Sequence, residues 1–240
     1  MNTIKVEDKK QTLMIAHRGV SGLETENTNA AFVAAGNRSY FGVETDIHKT
    51  VDNNFVIIHD DTTKRVAIDN LTVEESTYDT LRGLVLLQKD GKKGRTDLRL
   101  SNLEEYIGIC KHYEKTAVLE LKNHMEKEDV YTICGKIEEM DYLEHVIFIS
   151  FDLENLIALR EKYPSQPAQY LLCECKEADY ENLLKYHLDL DILYRNLPRE
   201  LVERCHANGI KVNCWTCDDA EEAKRLISYG VDFITSNILE

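Results

Sequence analysis

Two histidines, three carboxylates and a lysine close short apolar runs along this chain. His17 follows Met14-Ile15-Ala16 and His59 follows Val56-Ile57-Ile58, while Glu44 and Asp46 come after Gly42-Val43 and Glu120 and Lys122 come after Val118-Leu119. Side chains on a strand alternate faces, so Glu44 and Asp46 project the same way, as do Glu120 and Lys122. Three carboxylates that converge without a partner are costly, through like-charge repulsion and desolvation. A hard divalent cation removes that cost, and oxygen ligands suit Mg²⁺ or Ca²⁺ without choosing between them. Such an ion would stabilise charge building on a phosphate oxygen in a transition state. Lys122 adds a second positive point. The two histidines suit proton transfer near neutral pH, one taking a proton from an attacking group and the other giving one to a leaving alkoxide.

Each of these features has a plainer explanation when taken alone. A Glu-x-Asp pair is commonly solvated loop charge, and a lone histidine at a strand end is commonly structural. What favours chemistry is repetition: two apolar runs lead into acidic pairs, and two more lead into histidines. His48 shares the register of Glu44 and Asp46 but lies further along, which makes it a loop or supporting residue. His112, His124, His145, His187 and His206 fall in helices, turns or strand starts and are expected to be inert.

The elements that must position these groups read as alternating strands and helices. Strands are expected at 12–17, 41–49, 116–122, 145–150, 168–174, 190–195, 211–215 and 231–236, with a short extended segment at 54–60. Helices are expected at 29–36, 101–113, 127–140, 152–163, 178–187, 198–209 and 218–230. Thr28 caps the first helix, and Ser101 with Glu104 forms a capping box on the second. Eight strands in this rhythm predict an α/β fold, a (β/α)₈ TIM barrel of one domain over 1–240. Residues 61–100 lack a clean period and form a small insertion after the second strand region, with a short helix near 75–82 and a place over the barrel mouth. An open doubly wound sheet is the rival architecture, but no dinucleotide fingerprint or phosphate-binding P-loop follows a strand. The opening decapeptide is expected to plug the lower end of the barrel.

Bulk composition narrows the partners. The chain has 240 residues, with 43 acidic residues against 29 Lys plus Arg, a net charge of -14. That balance excludes nucleic acid as a partner and disfavours anionic membranes, so an anionic substrate needs a local cation. The seven cysteines are odd in number, and MNTIKVEDKK has no apolar leader core, which predicts reduced thiols and a cytoplasmic protein. The CEC and CWTC spacings are expected to be structural rather than metal-binding or redox-active. No run approaches the length of a membrane-spanning helix. Oligomeric state is not readable.

Taken in order, the motifs resemble the glycerophosphodiester phosphodiesterase family of bacterial type. They are HRG at 17–19, ENT at 26–28, GVETDIHKT at 42–50, IIHDDTTKR at 57–65, ELK at 120–122, NCWTCDD at 213–219 and GVDFITSN at 230–237. Each is weak alone; the ordered set spans nearly the whole chain. The resemblance implies metal-dependent hydrolysis of glycerophosphodiesters to sn-glycerol 3-phosphate and an alcohol. It implies one Mg²⁺ or Ca²⁺ on Glu44, Asp46 and Glu120, and His17 and His59 as the acid/base pair. It also implies Arg18 and Lys122 on the phosphate, Glu26 and Asn27 beside the metal and the first histidine, and Trp215 on the glycerol side. The family mechanism is pictured as attack by the glycerol 2-hydroxyl, followed by opening of the cyclic phosphate.

The chain departs from that pattern at three places. Thr25 stands where a proline usually precedes ENT. Ser236, Asn237 and Leu239 replace residues of a Thr-Asp-x-Pro ending. If position 237 orients a phosphate-binding residue, Asn237 is expected to change activity or specificity. The charged 61–100 segment hides the leaving-group pocket. Two rival functions remain open: a lysophospholipase D acting on lysolipids, and a catalytically silent barrel that binds phosphodiesters. A metal-free phospholipase C type is disfavoured by the three carboxylates.

Overall fold

The computed structural model describes residues 2–93 and 95–240. In chain order the elements are β1 (Leu13–Ala16), α1 (Asn29–Gly36), β2 (Gly42–Lys49), β3 (Phe55–Ile57), α2 (Tyr78–Arg82), α3 (Leu103–His112) and β4 (Thr116–Leu121). There follow α4 (Lys127–Glu139), β5 (Val146–Ser150), α5 (Leu153–Lys162), β6 (Ala168–Leu172), α6 (Glu177–Tyr186), β7 (Asp189–Leu193), α7 (Arg199–Ala207), β8 (Val212–Trp215), α8 (Ala220–Tyr229) and β9 (Phe233–Ser236). All strands but β3 pair in parallel, and β1 hydrogen-bonds both β9 and β2, which closes an eight-stranded barrel. Short β3 lies antiparallel on β2, with Ile47 opposite Ile57.

Strand parity separates two apolar layers, as alternation requires. On β2, Val43 and Ile47 join the large cluster between barrel and helices, whereas Glu44 and Asp46 have the opposite parity. Inside the barrel a smaller cluster holds Ile15, Val118, Ile147, Ile149, Leu171 and Phe233. At its lower end Phe41 stacks on Phe233, with ring centroids 5.8 Å apart. The opening residues do not plug this end. Ile4 and Val6 pair with Ile238–Glu240, and Val6 and Leu239 join the helix-facing cluster, filling the layer left open after β9.

Thr28 caps α1 as expected, accepting from the Ala31 amide. The capping box on α3 lies one residue later than the sequence reading. Asn102 accepts from the Glu105 amide at 2.8 Å and Glu105 reaches back to Asn102, because the Ser101 hydroxyl is committed to Asn29 at 2.6 Å. The segment between β3 and α3 packs its own cluster around Val56, Val73, Leu81, Leu86 and Leu98. It is therefore anchored over β2 and β3, although its sequence shows no period. All seven cysteines are free, and five are buried. Among the described residues no helix is long and apolar enough to cross a membrane.

Candidate active site

The barrel register brings the carboxylates together. Asp46 on β2 lies directly opposite Glu120 on β4, and Glu44 lies one inward-facing step below, opposite Val118. One oxygen from each of Glu44, Asp46 and Glu120 falls within a 4.8 Å group, and all three residues are buried. Burial and the charge of Asp46 push Glu44 well above the usual carboxylate range and Glu120 up to about 8. Burial opposes ionisation of Asp46 too, but Arg18, His59 and Lys122 hold it well below its ordinary value. Burial thus opposes three full negative charges at this point. Asp46 Oδ1 is buried without a hydrogen-bond partner. A vacant buried acceptor and an all-oxygen donor set fit a hard divalent cation.

Basic groups and an amide hold the carboxylates in place. The Arg18 amide donates to Glu44 Oε2 at 2.8 Å, and its guanidinium bonds Glu26 at 2.9 Å with Nε 3.5 Å from Asp46. Asn27 donates to Asp46 Oδ2 at 2.7 Å and accepts from Thr45 at 2.8 Å. Lys122 Nζ lies 2.8 Å from Glu120 and 3.8 Å from Asp46. The backbone is strained where these groups meet: Arg18 and Asn27 have φ of 53° and 55°. Gly19, at φ 73°, permits the turn, since a Cβ there would lie 2.7 Å from the Ala31 backbone.

The two histidines have contrasting partners. His17 Nδ1 lies 2.8 Å from Asn237 Oδ1, which also accepts from the Ser21 hydroxyl at 2.6 Å. Asn237 Nδ2 donates to Asp218 at 2.6 Å. Asn237 thus contacts a histidine, where sequence reasoning allowed for a phosphate-binding residue. Burial, aided by Arg18, lowers His17 to about 4. His59 Nδ1 instead faces the Asp60 carboxylate at 2.6 Å, and Arg65 pairs with both Asp60 and Glu26. Arg65 holds Asp60 at about 2. His59 is lowered by burial, with Asp46 and Asp60 opposing.

A cavity of about 80 Å³ joins these groups, lined by His17, Arg18, Glu44, His59 and Glu120 on one side and by Ile149, Phe151, Leu171 and Trp215 on another. Asp191 and Thr235 complete the lining. Asn237 and Asn27 stand behind the wall, and His48 supports it: fully buried, it bonds Glu74 at 3.1 Å and the His59 carbonyl at 3.4 Å. Sequence reasoning missed the roles of Asp60, Arg65, Asp218 and Asp191. A signal was present for three of them: Asp60 adjoins His59, Arg65 lies in the same run, and Asp191 interrupts the apolar strand LDIL.

Known proteins share this arrangement of chain. Residues 17–239 match the Glycerophosphoryl diester phosphodiesterase family. A glycerophosphodiester phosphodiesterase of Caldanaerobacter subterraneus is 31% identical over 95% of this chain and 94% of its own. A phosphodiesterase of Oleispira antarctica, solved in complex with the product sn-glycerol-3-phosphate, superposes with a TM-score of 0.83 at 25% identity, covering 95% of this chain and 94% of that one. A glycerophosphodiester phosphodiesterase of Parabacteroides distasonis gives 0.78 at 28%, covering 95% and 93%.

Proposed function

The chain belongs to the glycerophosphoryl diester phosphodiesterase family, and from that premise we propose that it hydrolyses glycerophosphodiesters to sn-glycerol 3-phosphate and an alcohol with the help of one divalent cation. The observation that carries this reading is the buried, partnerless Asp46 Oδ1 within the triad of Glu44, Asp46 and Glu120, beside a cavity lined by both histidines. Those three carboxylates would hold Mg²⁺ or Ca²⁺, and the bound ion would supply Lewis-acid stabilisation of phosphoryl charge.

Hydrogen-bond partners support a division of the proton transfers between the two histidines. Asn237 Oδ1 accepts from His17 Nδ1–H, which leaves Nε2 as the unprotonated base. It draws the proton from the glycerol 2-hydroxyl as that oxygen bonds to phosphorus. An intramolecular nucleophile needs no separate positioning, a large rate advantage. Burial lowers His59, and the Asp60 carboxylate at 2.6 Å opposes that shift, which would support the proton His59 gives to the departing alkoxide. Water then opens the cyclic phosphate with the two roles reversed. Arg18 and Lys122 draw the phosphate oxygens, and Trp215 walls the glycerol. Residues 61–100 serve as an insertion that brings Arg65 over the mouth.

The test is release of sn-glycerol 3-phosphate from phosphodiesters bearing choline, ethanolamine, glycerol or inositol, after EDTA and then with Mg²⁺ or Ca²⁺ restored. Metal-restored release is expected. A folded protein inactive on every headgroup with either ion would overturn the reading. A 2-deoxyglycerol analogue cleaved as fast as its parent would replace internal attack by direct attack of water.

A further inference from the structure

The segment between β3 and α3 sends one side chain back to the site. Arg65 closes a single helical turn, Thr63–Arg65. Thr63 is buried; its hydroxyl donates to the Asp69 carbonyl at 2.6 Å and accepts from the Leu71 amide at 2.9 Å. Val66 and Ala67, next in the chain, belong to the buried cluster of this segment. From that anchored base the guanidinium meets two carboxylates, each with two nitrogens. Nε and Nη2 reach Asp60 at 2.7 and 3.0 Å, and Nη1 and Nη2 reach Glu26 at 2.6 and 2.9 Å. Asp60 Oδ1 is shared with His59 Nδ1, at 2.6 Å. His59 lines the cavity, whereas Asp60 and Arg65 do not. The Arg65 side chain is 45% exposed, and ion pairs that open add little to stability. A fork engaged this fully points to a task other than holding the fold.

We propose that Arg65 is a positioning residue for His59: it fixes Asp60, and Asp60 fixes the imidazole ring that protonates the leaving alkoxide. The inference rests on the glycerophosphodiesterase reading and deepens it. An ionised carboxylate only accepts, so His59 Nδ1 carries a hydrogen and Nε2 is the nitrogen that exchanges a proton with the substrate. As the bond from phosphorus to the leaving oxygen breaks, its electron pair goes to that oxygen, which takes the Nε2 proton. Asp60 by itself can turn about its side-chain bonds. Gripped at both oxygens by a planar fork, it presents Oδ1 to Nδ1 in one direction. Transfer at Nε2 depends on that alignment. A lysine, a point charge on a flexible stem, cannot replace the fork. The other half of the fork leads through Glu26 to the Arg18 guanidinium at 2.9 Å, so the rival role for Arg65 is to steady the phosphate side. The two roles differ in what the leaving group should feel.

The experiment measures kcat/KM for leaving-group release from sn-glycero-3-phosphocholine and from sn-glycero-3-phospho-4-nitrophenol. Choline leaves as an alkoxide that needs a proton; nitrophenolate leaves without one and scarcely feels a general acid. In Arg65→Gln the choline substrate is expected to slow by about tenfold or more, and the nitrophenyl substrate by less than about twofold. Asp60→Asn should show the same selective loss. Adding Arg65→Gln to Asp60→Asn should deepen it by less than about twofold, since the two act in one line. Arg65→Lys should show the selective loss too, and it decides the matter if Arg65→Gln does not fold. Equal losses on both substrates would put Arg65 on the phosphate side or in the fold and overturn this inference. So would Arg65→Gln that cleaves the choline substrate at the wild-type rate. Both results leave the phosphodiesterase reading standing. Wild-type protein that releases neither leaving group overturns both.

Discussion

His17 leans on an amide oxygen and His59 on a carboxylate, and in the proposed mechanism that difference separates a base from an acid. Removing either by alanine substitution is expected to lower kcat by about 10² to 10⁴, while calorimetry finds cation affinity little changed. A fall in both quantities would instead make that histidine a ligand. Position 237 offers a sharper test. Asn237→Asp would set a second carboxylate against Asp218, where an amide now donates at 2.6 Å. Stability should drop by about 1 kcal/mol, and Asp218→Asn in the same chain should recover most of it; urea denaturation of the four variants reads the coupling. At this scale the sequence displayed the carboxylates and histidines because each ends an apolar run. It hid Asp218, since a hydrogen-bond partner 19 residues away leaves no local period.

Between residue and fold stands α3, whose Tyr106 hydroxyl reaches Val43 O at 2.7 Å and Val118 O at 3.2 Å. These carbonyls lie on β2 and β4, next to Glu44 and two residues before Glu120, so the helix braces both carboxylate strands. Tyr106→Phe is expected to destabilise the protein by about 1 kcal/mol and to weaken cation binding, with thermal unfolding and calorimetry as the measurements. An unchanged affinity would show that the strands hold the triad without this brace. Strand and helix order was legible because alternation and capping residues are local signals. The α3 box was misplaced by one residue because Ser101 is drawn off by Asn29, a contact across 72 positions. The 61–100 segment was unreadable for a related reason: its cluster is made by scattered residues that meet only after folding.

For the whole molecule, a net charge of -14 opposes approach of an anion. An anionic glycerophosphodiester should therefore gain on a zwitterionic one as salt rises, because screening weakens the repulsion. The ratio of kcat/KM for glycerophosphoglycerol to that for glycerophosphocholine, followed across ionic strength, checks this. The ion and the proton should also be linked. Burial and the charge of Asp46 push Glu44 up and Glu120 up to about 8, and both must be ionised to become ligands, so ion binding should release protons. Cation affinity should tighten as pH rises from about 6 to about 8, with about one or more protons released per ion at pH 7. Calorimetry in two buffers of different ionisation enthalpy counts them.

In the proposed reading a cation on the buried triad works with two histidines in one cavity. Its most direct test is the rate of sn-glycerol 3-phosphate release from chelated protein as Mg²⁺ or Ca²⁺ is returned, for wild type and for Asp46→Asn. Saturable recovery is expected in the wild type and, in the variant, loss of both recovery and calorimetric binding of the ion. Full activity in chelator, or unimpaired recovery in Asp46→Asn, would contradict it.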